Sequence, residues 1–236
     1  MAALLLFCLP PHFIWKLFRQ PSPWPRLFLG SVARICGADV RRIGKPLRHD
    51  VFFVSNHLSW LDILVMAGAT GTAFVSKDSL AQAPVVGWLA KLNNTVFIAR
   101  ADRFAVGAQI ESVRAAMEAH QPITVFPEGT TGDGQGLLPF KASLFAVMCP
   151  PPRPMMIQPV LLDYGAAAGE IAWIGNEPGD ANAIRMLKRR RGFDVNVVFL
   201  EPFDPAAYAD RKAMAAEARK RIAAALSASL GGRAIV

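Results

Sequence analysis

The chain has 236 residues, 26 Lys plus Arg against 18 Asp plus Glu, a net charge of +8 and 53% hydrophobic residues. That is enough for one domain with a full core, and it excludes a disordered or collagen-like chain. A basic balance joined to a mean hydropathy of +0.29 fits an anionic membrane surface better than nucleic acid, since no basic stretch is interleaved with stacking aromatics.

In chain order, residues 1–18 hold an apolar run on each side of Pro10-Pro11. Neither run reaches the roughly 20 residues that a bilayer span needs. The paired prolines are expected to break a continuous helix. Two readings stay open: an interfacial helical hairpin with Trp15, Lys16 and Arg19 at headgroup level, or the end of a longer transmembrane anchor. No small-residue cleavage site follows, so a secretory signal is not expected.

Residues 20–25 carry three prolines and read as a linker, and 24–36 read as a helix with Leu27, Phe28, Val32 and Ile35 on one face. Strands are expected at 39–43, 51–54, 72–76, 94–98, 122–126, 155–162, 171–174 and 194–200. Helices are expected from 63, and at 84–90, 103–120, 137–148, 183–191 and 206–230. The basic residues Arg41, Arg42, Lys45 and Arg48 are either a solvated face or a headgroup contact, and the run 188–191 is either a favourable basic helix end or an anionic-lipid contact. The fold class is therefore α/β: a single domain with a mixed, mostly parallel sheet flanked by helices, preceded by an N-terminal membrane-associated helical hairpin. The boundaries are 1–36 for the helical motif and 37–236 for the domain. Cys8, Cys36 and Cys149 are scattered, which argues for a reducing compartment and for small buried hydrophobes.

Four strand ends deliver polar residues. His57 follows the strand at 51–54, and Asp62 stands five positions later, where a carboxylate can turn back onto the imidazole and free its other nitrogen as a general base. The competing reading is a helix cap by Asn56 or Ser59 beside an incidental histidine. Lys77 and Arg100 end two further strands. The loop from Phe126 holds Glu128, Gly129, Thr130 and Thr131, and Gly132, Gly134 and Gly136 follow, so amides and hydroxyls can approach an anion. This is neither a phosphate-binding P-loop nor a dinucleotide fingerprint. No histidine has metal-ligand spacing, so no metal and no cofactor are expected. Ser59 leaves a covalent acyl-enzyme open, but no GxSxG elbow supports it.

Asn56-His57-x-Ser59-x-x-Asp62, Phe97-Ile98-x-Arg100, Phe126-Pro127-Glu128-Gly129-Thr130 and a later Pro159, in that order, resemble the lysophosphatidic acid acyltransferase family of glycerolipid acyltransferases. The resemblance implies His57 as general base and Asp62 as its orienting partner. It implies Arg100 and Lys77 at the acceptor phosphate, Glu128 and Gly129 in the acceptor site, and a membrane-bound N-terminal helical motif. It also implies acyl-CoA or acyl-carrier protein as co-substrate, with lysophosphatidic acid and membrane phospholipids as partners. The expected reaction is acylation of the 2-hydroxyl of 1-acylglycerol-3-phosphate to phosphatidic acid, at the cytoplasmic face of a bacterial inner membrane. Thr131 is a departure, because many members carry arginine there and threonine offers no bidentate charged contact. Variants with Thr-Thr resemble a branch that includes acyltransferases of other lysolipids such as lyso-ornithine lipid, and Lys77, Arg100 and Lys141 remain to supply charge. A non-catalytic lipid-binding module and a lipid esterase using Ser59 are the readings from other classes.

Overall fold

A computed structural model describes residues 1–18, 20, 22–98, 106–118 and 121–235. Its strands are β1 (Ala38–Ile43), β2 (Val51–Ser55), β3 (Ala73–Lys77), β4 (Val96–Ile98), β5 (Ile123–Val125), β6 (Met156–Asp163) and β7 (Phe193–Phe199). They form one sheet in the order β1-β7-β6-β2-β5-β3-β4. Among the described residues, only the β6–β7 pair is antiparallel. Such a sheet needs cover on both faces. β2, at its centre, is buried along its whole length. Its alternation divides it between two cores: Val51 and Phe53 face one, Phe52 and Val54 the other.

The first core is closed by α2 (Trp24–Ile35) and α3 (Leu61–Thr70), through Phe28, Val32, Val65 and Met66. These two helices approach so closely that a Cβ on Gly68 would lie 2.5 Å from Gly30 Cα. The second core is closed by α6 (Val106–Glu118), a 3-10 segment at Ala142–Met148 and the C-terminal α9 (Arg211–Ser229), through Met117, Phe145, Met214 and Ile222. Asp210 caps α9 by accepting from the amides of Lys212 and Ala213. Between β3 and β4 lie α4 (Asp78–Ala81) and α5 (Pro84–Leu92), and between β6 and β7 lie α7 (Ala168–Ile171) and α8 (Gly179–Leu187).

Several expectations are corrected. α1 (Ala2–Leu17) runs through Pro10 and Pro11, so the hairpin is α1 against α2 and turns near residue 18. The two missing N–H groups would have met the carbonyls of Leu6 and Phe7, residues about two-thirds exposed, and the helix tolerates that loss there. Residues 137–148 are not one helix. The amides of Leu138 and Lys141 are spent on Glu128 and on the Pro127 carbonyl, and only Ala142–Met148 winds. Ile171 ends a short helix instead of opening a strand, and Trp173 beyond it donates its amide to Leu58 O. A short apolar run carries no period that separates helix from strand. α8 stops before the basic run, α9 starts at its Asp210 cap, and Cys149 is exposed. Arg19 and the expected helical residues 103–105 and 119–120 lie outside the described set. Among the described residues no helix is long and apolar enough to cross a membrane.

Candidate active site

β2, β3, β5 and β6 all end at one edge of the sheet, and the loop after β2 carries His57 there. Asn56 prolongs the strand with its side chain: Nδ2 donates to Leu162 O at 3.0 Å and Oδ1 accepts from Leu162 N–H at 2.8 Å. This ladder-like pair fixes where the chain leaves the sheet. Asn56 thus serves the sheet and is not a helix cap.

Asp62 sits in the first turn of α3 and is fully buried. Four donors meet it. Oδ2 accepts from His57 Nδ1 at 2.8 Å, Leu58 N–H at 2.6 Å and Ser59 N–H at 2.9 Å, and Oδ1 accepts from the Tyr164 hydroxyl at 2.5 Å. A buried carboxylate requires this degree of pairing, and the helix N-terminus favours its charge. Because Nδ1–H is held by Asp62, Nε2 is the nitrogen left to accept a proton. The ring stacks on Phe126 with centroids 4.1 Å apart and planes at 15°, and its side chain keeps 18% exposure. The imidazole is therefore oriented from both sides and still open.

The glycine-rich loop clamps the same residue from behind. Glu128 Oε1 accepts from His57 N–H and Oε2 from Leu138 N–H, both at 2.9 Å, while Gly132 N–H donates to His57 O at 2.7 Å. Burial raises the Glu128 pKa, against the opposing pull of the Leu138 and His57 amides. Glu128 is thus a brace between two loops. Gly129 has φ +71, and a Cβ there would fall 2.4 Å from Lys141 Nζ, so the lysine lies across the glycine at the same edge. Thr130 is exposed on this loop. Thr131 donates its hydroxyl to Trp173 O, which ties the loop to the segment between α7 and α8. α8 is tied to the histidine loop as well: Trp60 Nε1 donates to Asn182 Oδ1 at 2.9 Å, and Asn182 Nδ2 donates to Glu177 Oε2 at 2.7 Å. The Arg185 guanidinium, then Asn182, hold the half-buried Glu177 carboxyl down at about 2.

The structure therefore gathers His57, Asp62, Glu128, Gly129, Thr131 and Lys141. The backbone of Lys77 ends β3 at the same edge, its side chain being outside the described set, as is the whole of Arg100. Ser59 is fully buried and its hydroxyl accepts from Leu61 N–H, so it presents no nucleophile. Among the described residues no group of His, Cys, Asp or Glu could hold a metal ion. Sequence reasoning missed Tyr164. The available signal was one of only two tyrosines in the chain, placed just past the end of a central strand.

The arrangement can take a proton at Nε2 and return it. The chain matches the family model described as Acyltransferase over residues 38–163. It is 35% identical over 233 residues to the lyso-ornithine lipid O-acyltransferase of Rhodobacter capsulatus, covering 92% of this chain and 83% of that one. The Brucella abortus enzyme of the same name is 34% identical over 100% of this chain and 94% of its own. The 1-acyl-sn-glycerol-3-phosphate acyltransferase of Neisseria gonorrhoeae is 36% identical, over 49% of this chain and 46% of its own. Among solved structures, the 1-acyl-sn-glycerophosphate acyltransferase of Thermotoga maritima shares the fold, with a TM-score of 0.67 at 23% identity, over 96% of this chain and 88% of that one.

Proposed function

Since this chain belongs to the acyltransferase family, we propose that it moves a fatty acyl group from a thioester, acyl-CoA or acyl-carrier protein, to the free hydroxyl of lyso-ornithine lipid. One observation carries the reaction: an imidazole fixed through Nδ1 by a fully buried carboxylate, with Nε2 open at the carboxyl edge of the sheet. The acceptor hydroxyl gives its proton to Nε2 as its oxygen bonds to the thioester carbonyl carbon. The carbonyl electron pair moves onto oxygen. On its return the C–S bond breaks, and the departing thiolate takes the proton from Nε2. An ester and a free thiol result. Asp62 keeps its charge throughout and stabilises the imidazolium formed midway. No enzyme-bound ester is needed, in keeping with the burial of Ser59.

The expected acceptor, lysophosphatidic acid, gives way to the alternative. Lyso-ornithine relatives align over 85–100% of this chain, whereas the glycerol-3-phosphate relatives align over about half. The Thr131 hydroxyl is spent on Trp173 O and offers no charge to a phosphate. α1 supports delivery from a bilayer: Phe7, Phe13 and Leu17 are more than half exposed, and Lys16 sits in its last turn. The deciding experiment offers purified protein both acceptors at equal concentration with each donor. Lyso-ornithine lipid is expected to be acylated faster, with His57→Ala inactive. Faster acylation of lysophosphatidic acid would overturn the acceptor, and equal product from wild type and His57→Ala would overturn the enzyme.

A further inference from the structure

The connection from β6 to β7 leaves and re-enters the sheet at the edge where His57 sits, because β6 runs parallel to β2 and antiparallel to β7. α8 lies in that connection. A surface helix ordinarily buries its apolar stripe and turns its polar side outward. α8 departs from that pattern. Asn182 is fully buried and bonded on both sides, to Trp60 and to Glu177, with Met186 as its buried apolar neighbour on the helix. Ile184 and Leu187 are instead 52% and 54% exposed. They stand three positions apart and so share one outward face, which Lys188, four positions after Ile184, completes. Ile174, on the loop before α8, is as exposed as Ile184, and Arg185 ties that loop to the helix through the Ala172 carbonyl at 3.0 Å. Single exposed aliphatic residues need no explanation, but here three gather on one short connection.

Charge completes the pattern, since the run 188–191 follows α8 directly. Arg189 is spent on Glu170, and Arg191 lines a groove with Asp39, Asp163 and Asp194. Lys188 and Arg190 are exposed, with no carboxylate partner among the described residues. Of the acids on the same segment, Glu177 is held by Arg185. Asp180 shares the outward face, but it lies about 12 Å along the axis from Lys188, beyond a Debye length of about 8 Å at physiological salt. We propose that α8, with Ile174, is a second bilayer contact besides α1. Lys188 and Arg190 meet anionic headgroups, and Ile184 and Leu187 enter the interface. Aliphatic and basic side chains on one short helix suit a lipid surface, which needs no shaped partner. Protein interfaces draw chiefly on aromatic anchors, which this face lacks. The contact would hold the edge that bears His57 against the leaflet.

The test uses the full chain carrying Cys149→Ser, which removes the exposed thiol. One environment-sensitive fluorophore is attached at Ile184→Cys or, as control, at Lys220→Cys on the exposed side of α9. Emission from position 184 is expected to shift to the blue on vesicles of phosphatidylcholine mixed with phosphatidylglycerol, and less on phosphatidylcholine alone. Emission from position 220 is expected to stay unchanged. Without the label, Lys188→Gln with Arg190→Gln should weaken partition onto the mixed vesicles at least tenfold, at about fivefold per charge, with the melting temperature unchanged. Ile184→Ser with Leu187→Ser should weaken partition onto both kinds of vesicle. Equal shifts at positions 184 and 220, or undiminished partition of the glutamine variant, would overturn the contact. A shift at position 184 with acyl-carrier protein in solution and none with vesicles would overturn it in favour of a protein partner. None of these readouts needs turnover, so their failure leaves the proposed acyl transfer standing, and a failed transfer assay leaves the contact standing.

Discussion

His57 and Asp62 differ in what their removal should do. His57→Ala removes the proposed base, and activity is expected to fall about 10²–10⁴-fold with the unfolding midpoint little changed. An intact rate would contradict the role. Tyr164→Phe acts through Asp62, leaving the buried Oδ1 without its donor. An unsatisfied buried acceptor costs about 1–3 kcal/mol, so denaturant unfolding should shift by that order, and the pH–rate profile should move because Asp62 holds His57 less firmly. An unchanged profile would reduce Tyr164 to packing. Glu128 supplies a pH signature. Burial raises its folded pKa above the ordinary 4.5, so the fold favours the neutral form. Its contribution is full below 4.5 and is lost as pH rises through the raised value. Wild-type stability should therefore decline relative to Glu128→Gln as pH rises from 4.5, and parallel curves would count against a buried titrating carboxyl.

At the scale of elements, the seam between α2 and α3 is set by Gly30 and Gly68, whose backbones nearly touch. A methyl group on Gly68 meets backbone and not a movable side chain. Gly68→Ala should thus cost about 1–3 kcal/mol by overpacking, read as a lower unfolding temperature. Because Asp62 lies in the first turn of α3, the same variant should slow turnover more than an equally destabilising change in the α9 core, such as Ile222→Val. Equal turnover in the two would mean that the seam does not reach the site. The α7–α8 segment matters for a related reason. Thr131, Trp60 and Leu58 all bond to it, so the wall beside His57 is assembled from distant stretches of chain.

For the whole molecule, the exposed apolar face of α1 is the proposed membrane contact. Phe7→Ser with Phe13→Ser should reduce co-flotation with anionic liposomes at least several-fold while leaving the fold intact, and undiminished flotation would move the contact elsewhere. Length, hydropathy and strand–helix alternation were enough to read an α/β domain with a mostly parallel sheet, because those patterns reflect burial on two faces and need no partner to be seen. The five-residue step from His57 to Asp62 was equally readable, since a loop-to-helix turn sets that distance locally. The course of α1 through two prolines, the non-helical path of residues 137–141 and the helix at Ala168–Ile171 were not readable. The path of 137–141 was decided by the Glu128 carboxylate and the Pro127 carbonyl, and that of the segment beyond Ile171 by the Leu58 carbonyl. Tyr164 meets Asp62 across 102 positions, and Glu128 meets the His57 amide across 71. Local periodicity fixes which face of an element is buried, but the partner of a buried polar atom is chosen only when the sheet brings separate strand ends to one edge.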